Sequence, residues 1–136
     1  MRRALALLLL AGCVESKPDL ALGQKLYAQH CGACHGMKLE GQPDWQRRMA
    51  NGRMPAPPHD ESGHTWHHPD EVLFGITKHG LVPPYAPPAY PSDMPAFADT
   101  LSDSEIRAVL AYIASHWKTA ELLRAREELI RNSRKR

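Results

Sequence analysis

The chain has 136 residues, 24% of them charged, with 12 prolines, three cysteines and a formal net charge of +2. One domain is expected at that length, with a modest core, and so many prolines exclude continuous helix throughout. Charge is uneven: Cys13 to Trp117 carries eight Lys/Arg against twelve Asp/Glu, whereas Lys118 to Arg136 carries seven against three. A net basic excess confined to one terminal segment argues against a nucleic-acid partner.

Arg2 and Arg3 precede an apolar run, Ala4 to Ala11, that reads as an export signal too short to span a bilayer as a mature helix. The run ends Leu10-Ala11-Gly12-Cys13. It resembles the lipobox of bacterial lipoproteins, in which the Cys is lipidated and becomes the new N-terminus. On that reading residues 1–12 are a signal peptide, 13–18 a lipidated tether, and Cys13 a membrane anchor carrying more than one acyl chain. An ordinary cleaved signal with an incidental Cys is the competing reading.

Asp19 to His30 has a helical pattern, with Asp19 placed to cap it and Leu22/Leu26 and Gly23/Tyr27 repeating at i, i+4. Glycine inside a helix costs about 1 kcal/mol against Ala, so Gly23 anticipates a close helix crossing. His30 is expected on the surface.

Cys31-Gly32-Ala33-Cys34-His35 follows. Two thiols three positions apart with an adjacent imidazole are what covalent haem attachment needs: each thiol adds across a vinyl group, and the His reaches the iron. A redox dithiol would want a βαβ context, and a zinc site would want a second ligand pair. Neither is visible. With Cys13 assigned to lipid, no thiol remains for a disulfide, and export agrees with thioether attachment, which in bacteria occurs outside the cytoplasm.

Gly36 to His68 is punctuated by glycine and proline, including Gly41-Gln42-Pro43 and Pro55-Ala56-Pro57-Pro58. A loop this long is expected to be functional, and wrapping a haem edge would supply the reason. It contains four histidines in ten residues, His59, His64, His67 and His68. They read either as a second metal site for copper or zinc, or as donors to haem propionates and caps of the next helix. Trp66 is a candidate propionate donor or a packing residue, and Trp45 a packing residue.

Pro69-Asp70-Glu71 opens a second helix whose apolar side is Val72, Leu73, Ile76 and Phe74, ending at His79-Gly80 with a left-handed cap. Val82 to Pro95 is Pro-rich again. Ser102 and Glu105 have capping-box spacing ahead of Ile106, Val109, Leu110, Ile113 and Trp117 on one face of a third helix. From Thr119 a charged amphipathic segment continues, with Leu122, Leu123, Leu129 and Ile130 as a narrow stripe. A solvated helical extension is the first expectation, and docking to an acidic partner or to anionic headgroups the second.

An iron held by His35 needs a ligand on its other face to act as a simple electron carrier. Met37 is too near His35 to cross the ring. Met94 stands in Pro91-Ser92-Asp93-Met94-Pro95-Ala96-Phe97, a stiff loop suited to holding a thioether, and His/Met ligation raises the potential. A core Met or a His from the middle cluster are the other readings.

On these residues the chain resembles a bacterial mono-haem class I cytochrome c in lipoprotein form. Cys31 to Gly36 matches the attachment motif, Met94-Pro95-Ala96-Phe97 the distal loop, and Leu101 to Trp117 the C-terminal helix. The resemblance covers about residues 19–117, leaving 118–136 as a charged helical extension. It implies an all-α fold of three main helices and long Pro-rich loops around one covalent haem c. It also implies crossing of the terminal helices at Gly23 and Tyr27 against Val109, Tyr112 and Ile113, and shielding of His35 by Pro43. The implied function is one-electron transfer outside the cytoplasm, without substrate catalysis, between redox protein partners and on a lipid anchor. A haem-based ligand sensor with a labile Met94, and a metal-handling protein using His59 to His68, remain as alternatives.

Overall fold

The computed structural model describes residues 17–135, so the export segment and Cys13 lie outside the described residues. Within them the chain is helical: α1 (Leu20–His30), α2 (Gly32–His35), a 3₁₀ turn (Thr65–His67), α3 (Asp70–His79), α4 (Asp103–Ala114) and α5 (Ala120–Ser133). The three anticipated main helices are α1, α3 and α4. The one-turn α2 carries the second half of the Cys-x-x-Cys-His motif.

Each start has a local cause. Asp19 Oδ1 accepts from the Ala21 and Leu22 amides, both at 3.0 Å. Ser102 and Glu105 form the reciprocal capping box at α4, a feature worth about 1 kcal/mol. Pro69 is the cap residue of α3 rather than its first helical residue, and Asp70 and Glu71 occupy the first turn. The last turn of α3 closes through the Gly80 amide onto Ile76 O. Gly80 has φ +80° but ψ −175°, so it exits in an extended rather than a left-handed helical conformation.

The core is the α1–α4 crossing. Tyr27, Ile106 and Val109 are fully buried there, and Ile113 is buried beside them. Gly23 lets the backbones meet: a Cβ at that position would sit 2.9 Å from Tyr112 Cβ and closer still to the Ala108 carbonyl. Tyr27 and Tyr112 rings pack at 5.5 Å beside it. Leu39, Leu73, Phe97, Leu101 and Trp117 extend this core. Trp117 is buried beyond the end of α4, which stops at Ala114, so it is not on a continuous helix face.

The C-terminal segment is a largely solvated helix, as expected, but it is held to the rest of the chain at two points. Within the stripe of Leu122, Leu123, Leu129 and Ile130, only Leu122 is buried, and Leu123 is exposed. The second buried residue of α5 is Arg126. Its guanidinium lies 4.5 Å over the Trp117 ring and donates to the carbonyls of Trp66 (3.0 Å) and His68 (2.9 Å) and to Asp70. At the other end the Glu61 carboxylate accepts from the Lys118 amide, the Thr119 amide (2.7 Å) and the Thr119 hydroxyl. It supplies the N-terminal acceptor that α5 lacks locally. α5 is thereby docked on the middle loop.

Two consequences are measurable. Gly23→Ala gains helix propensity of up to about 1 kcal/mol but forces the crossing apart, an overpacking cost of about 1–3 kcal/mol. A lower guanidinium midpoint at unchanged slope is expected, and an unchanged midpoint would contradict the crossing. Hydrogen bonds from Thr119, then from the Lys118 amide, hold the Glu61 carboxyl below its ordinary value of 4.5. Its contribution to docking is therefore fully present above pH 4.5 and is lost as pH falls through the depressed folded value. Amide exchange in α5 is expected to accelerate in that acidic window while α1 and α4 stay protected, and Glu61→Ala is expected to abolish the pH dependence.

Candidate functional site

The attachment motif hangs directly from the core. The Cys31 amide closes α1 onto Tyr27 O at 2.8 Å, and the His35 amide bonds Cys31 O at 2.9 Å, so Cys31, Cys34 and His35 sit on one short turn. The Tyr27 hydroxyl donates to Gly36 O at 3.0 Å and lies 3.4 Å from His35 O. Burial raises that phenol well above its ordinary value, so it remains a donor. Both thiols are free, Cys34 exposed and Cys31 half-buried. Burial, then the neighbouring Cys34, pushes the Cys31 thiol up to about 11.

His35 is 8% exposed, and its Nδ1 lies 2.8 Å from Pro57 O. A carbonyl only accepts, so Nδ1 carries the proton and Nε2 keeps its lone pair. Burial lowers the pKa of this ring, which favours the neutral imidazole that a metal needs, while the Pro57 bond acts in the opposite direction. The carbonyl arrives because two loop segments run side by side. Gln42 N bonds Ala56 O (2.9 Å), Ala56 N bonds Gln42 Oε1 (2.8 Å), and the His59 and Asp60 amides bond Leu39 O (2.8 and 3.2 Å). Gly41 permits the approach. Its φ is +69°, and a Cβ there would meet the Pro57–Pro58 backbone, 2.7 Å from Pro57 C.

Pro43 is not the residue that bonds His35. It is exposed on the wall of an open groove of about 520 Å³ with Gln42, Asp44, Arg47, Arg48, Met49 and Pro55. Pro57 holds the imidazole instead. The Pro55 to Pro58 run signals a break in helix, and nothing in its composition says which carbonyl faces the ring.

His59 lies flat on His35, with centroids 3.8 Å apart at 16°. Its Nδ1 is buried without a hydrogen-bond partner, and burial lowers its pKa well below the ordinary value. The other three histidines of the cluster go elsewhere. His64 stacks on Trp45 at 5.2 Å, and His67 packs on Trp66 at 3.6 Å. His68 meets His64 edge-on at 5.4 Å. Among the described residues no group of three His, Cys, Asp or Glu could hold a metal ion, so the second metal site expected as one reading is not assembled. Trp66 gives its indole N–H to Gly63 O at 3.1 Å, leaving no donor for a propionate, and it lines a small pocket under α5 with Leu122 and Ala125.

Met94 is half-buried and packs against the core that also receives Cys31. Its loop has one internal bond and is pinned at its C-terminal end to α3. The Met94 amide bonds Ser92 Oγ (3.0 Å), and the Phe97 and Ala98 amides bond Thr77 O and Lys78 O at the end of α3 (3.1 and 3.0 Å). Phe97 meets the ring of exposed His30 edge-on at 6.2 Å, which brings the loop beside the residue preceding Cys31. No helix among the described residues is long and apolar enough to cross a membrane.

A family model described as Cytochrome c matches residues 20–117. No curated protein and no solved structure matches the chain. The donor set fits the covalent haem c of that family: two free thiols at motif spacing, then an imidazole whose second nitrogen is already spent on a backbone carbonyl.

Proposed function

Since the chain belongs to the cytochrome c family and carries electrons through a covalent haem, we propose that it works outside the cytoplasm as a lipid-anchored one-electron carrier with His35 and Met94 as axial ligands. The observation that carries the ligation is the His35 Nδ1–Pro57 O bond at 2.8 Å, which leaves Nε2 as the only free donor of a buried, neutral ring. A ring so oriented needs no reorganisation when iron changes charge.

The haem supplies reversible one-electron chemistry at its iron when bound. This chain's residues supply the rest. Cys31 and Cys34 hold the group by thioethers. Tyr27 ties the turn that carries them to the α1–α4 core. Pro57 and His59 fix the imidazole plane. The proline-flanked loop, pinned to the end of α3, presents Met94 with little freedom to lose. No bond needs to break during the cycle, so fixed ligands and a dry crevice are the whole requirement. Partners are donor and acceptor redox proteins, reached from a membrane surface through Cys13.

In the oxidised protein a weak sulfur-to-iron absorption band in the far red is expected. It should vanish in Met94→Ala, whose reduced form should bind carbon monoxide readily at neutral pH. Ready binding by the unaltered protein would instead make Met94 a labile ligand. Cys13→Ser should move the pigment from the membrane fraction to the soluble extracytoplasmic fraction, and pigment that stays with membranes would remove the lipid anchor from this reading.

A further inference from the structure

Helix α5 begins after the stretch matched to the cytochrome c family, yet it is joined to the His35 environment by a short series of contacts. Residues 57–70 form the bridge. On one side, Pro57 O accepts from His35 Nδ1, and the His59 ring covers the imidazole face. On the other, the C-terminal segment holds the same loop at three places. Trp117 Nε1 donates to His59 O at 2.9 Å, the Glu61 carboxylate caps α5, and Arg126 donates to Trp66 O, His68 O and Asp70. Between these sides Thr65 Oγ1 donates to Pro58 O at 3.3 Å, so the residue next to the Arg126 contact bonds the residue next to Pro57.

Arg126 is 9% exposed in a helix that is otherwise largely solvated. Burying a guanidinium is costly unless its donors are satisfied, and a hydrophobic residue at such a position often stabilises as well or better. What the guanidinium does that a leucine would not is fix the positions of two carbonyls, at Trp66 and His68. An exposed Asp70 partner adds little, since exposed ion pairs are worth little.

We propose that α5 is a clasp that sets the donor strength of His35. Glu61 and Arg126 pin the 57–70 loop, and the pinned loop keeps the Pro57 carbonyl on Nδ1. Both are positioning residues. The proposal rests on the reading of His35 as an axial ligand. A well-made Nδ1–H bond to a carbonyl makes the imidazole a stronger donor, which favours ferric iron, so loosening the clasp raises the reduction potential. The His59 and Asp60 amides on Leu39 O, and Trp117 Nε1 on His59 O, tie the first residues of the segment independently of α5, so the clasp acts on residues 61–70 and reaches Pro57 through the Thr65–Pro58 bond.

The test uses the full-length haem protein with Arg126→Ala, Glu61→Ala and the double variant. Alanine removes both the donors and the cover on Trp117, so α5 is released rather than repacked. Amide exchange in α5 and exchange of the His35 Nδ1 proton are expected to accelerate roughly tenfold in the double variant. At a fixed ambient potential its ferrous-to-ferric ratio should rise at least about twofold, or about 18 mV for a one-electron couple. An α5 that stays protected in the double variant overturns the clasp. An unchanged or lower potential with α5 released overturns the coupling to His35, a fall reporting water at the haem instead. A low-spin spectrum of the unaltered protein that survives His35→Ala removes the premise and the proposal together, which separates that failure from the other two.

Discussion

The bond from His35 Nδ1 to the Pro57 carbonyl is the constraint around which the rest of the molecule is arranged. Spacing within Cys31 to His35 brings two thiols and an imidazole onto one turn, but it leaves the ring free to rotate and to choose a tautomer. A carbonyl acceptor on Nδ1 removes both freedoms, because it admits only the tautomer with a free Nε2. Supplying that carbonyl from 22 residues away requires the paired segments at 39–42 and 56–60, a positive-φ glycine where they touch, and prolines that keep the second segment extended.

That arrangement would be of little use on a mobile base. Tyr27 solves this by belonging to two structures at once. Its ring is 1% exposed in the α1–α4 crossing, and its hydroxyl reaches the carbonyl end of the turn that carries His35. A buried hydroxyl left unpaired would cost about 1–3 kcal/mol, so the crossing and the motif stabilise one another through this bond. Gly23 allows the helices close enough for this, and the Tyr112 ring covers the phenol from α4.

The parts of this plan that depend on local chemistry were legible in the sequence. The Asp19 cap, the Ser102–Glu105 box, the crossing glycine and the thiol-thiol-imidazole run each follow from residues within one or two helical turns of one another. The parts that depend on long-range loop contacts were not. Pro43 and Pro57 look alike in the sequence, and what separates them is which carbonyl the 39–42 pairing brings to the ring. Arg126 has the appearance of one more surface charge in a basic tail. Its burial follows from carbonyls at Trp66 and His68, some sixty residues earlier, and helical periodicity carries no information about them.

The histidine-rich loop shows the same limit from the opposite direction. Four imidazoles in ten residues suggest ligation because local density is what a sequence displays, but a metal needs converging lone pairs rather than density. Here the prolines and the short 3₁₀ turn separate the rings among different partners: His59 on His35, His64 on Trp45, His67 on Trp66. Each of these partners is an aromatic ring, which uses the imidazole as a packing surface rather than as a source of lone pairs. Burial lowers the pKa of His59 most and of His64 and His68 as well. A loop that must be polar enough to form at the surface, yet pack against a haem ligand on one side and a docked helix on the other, is well served by a side chain that is both a flat ring and a hydrogen-bonding group.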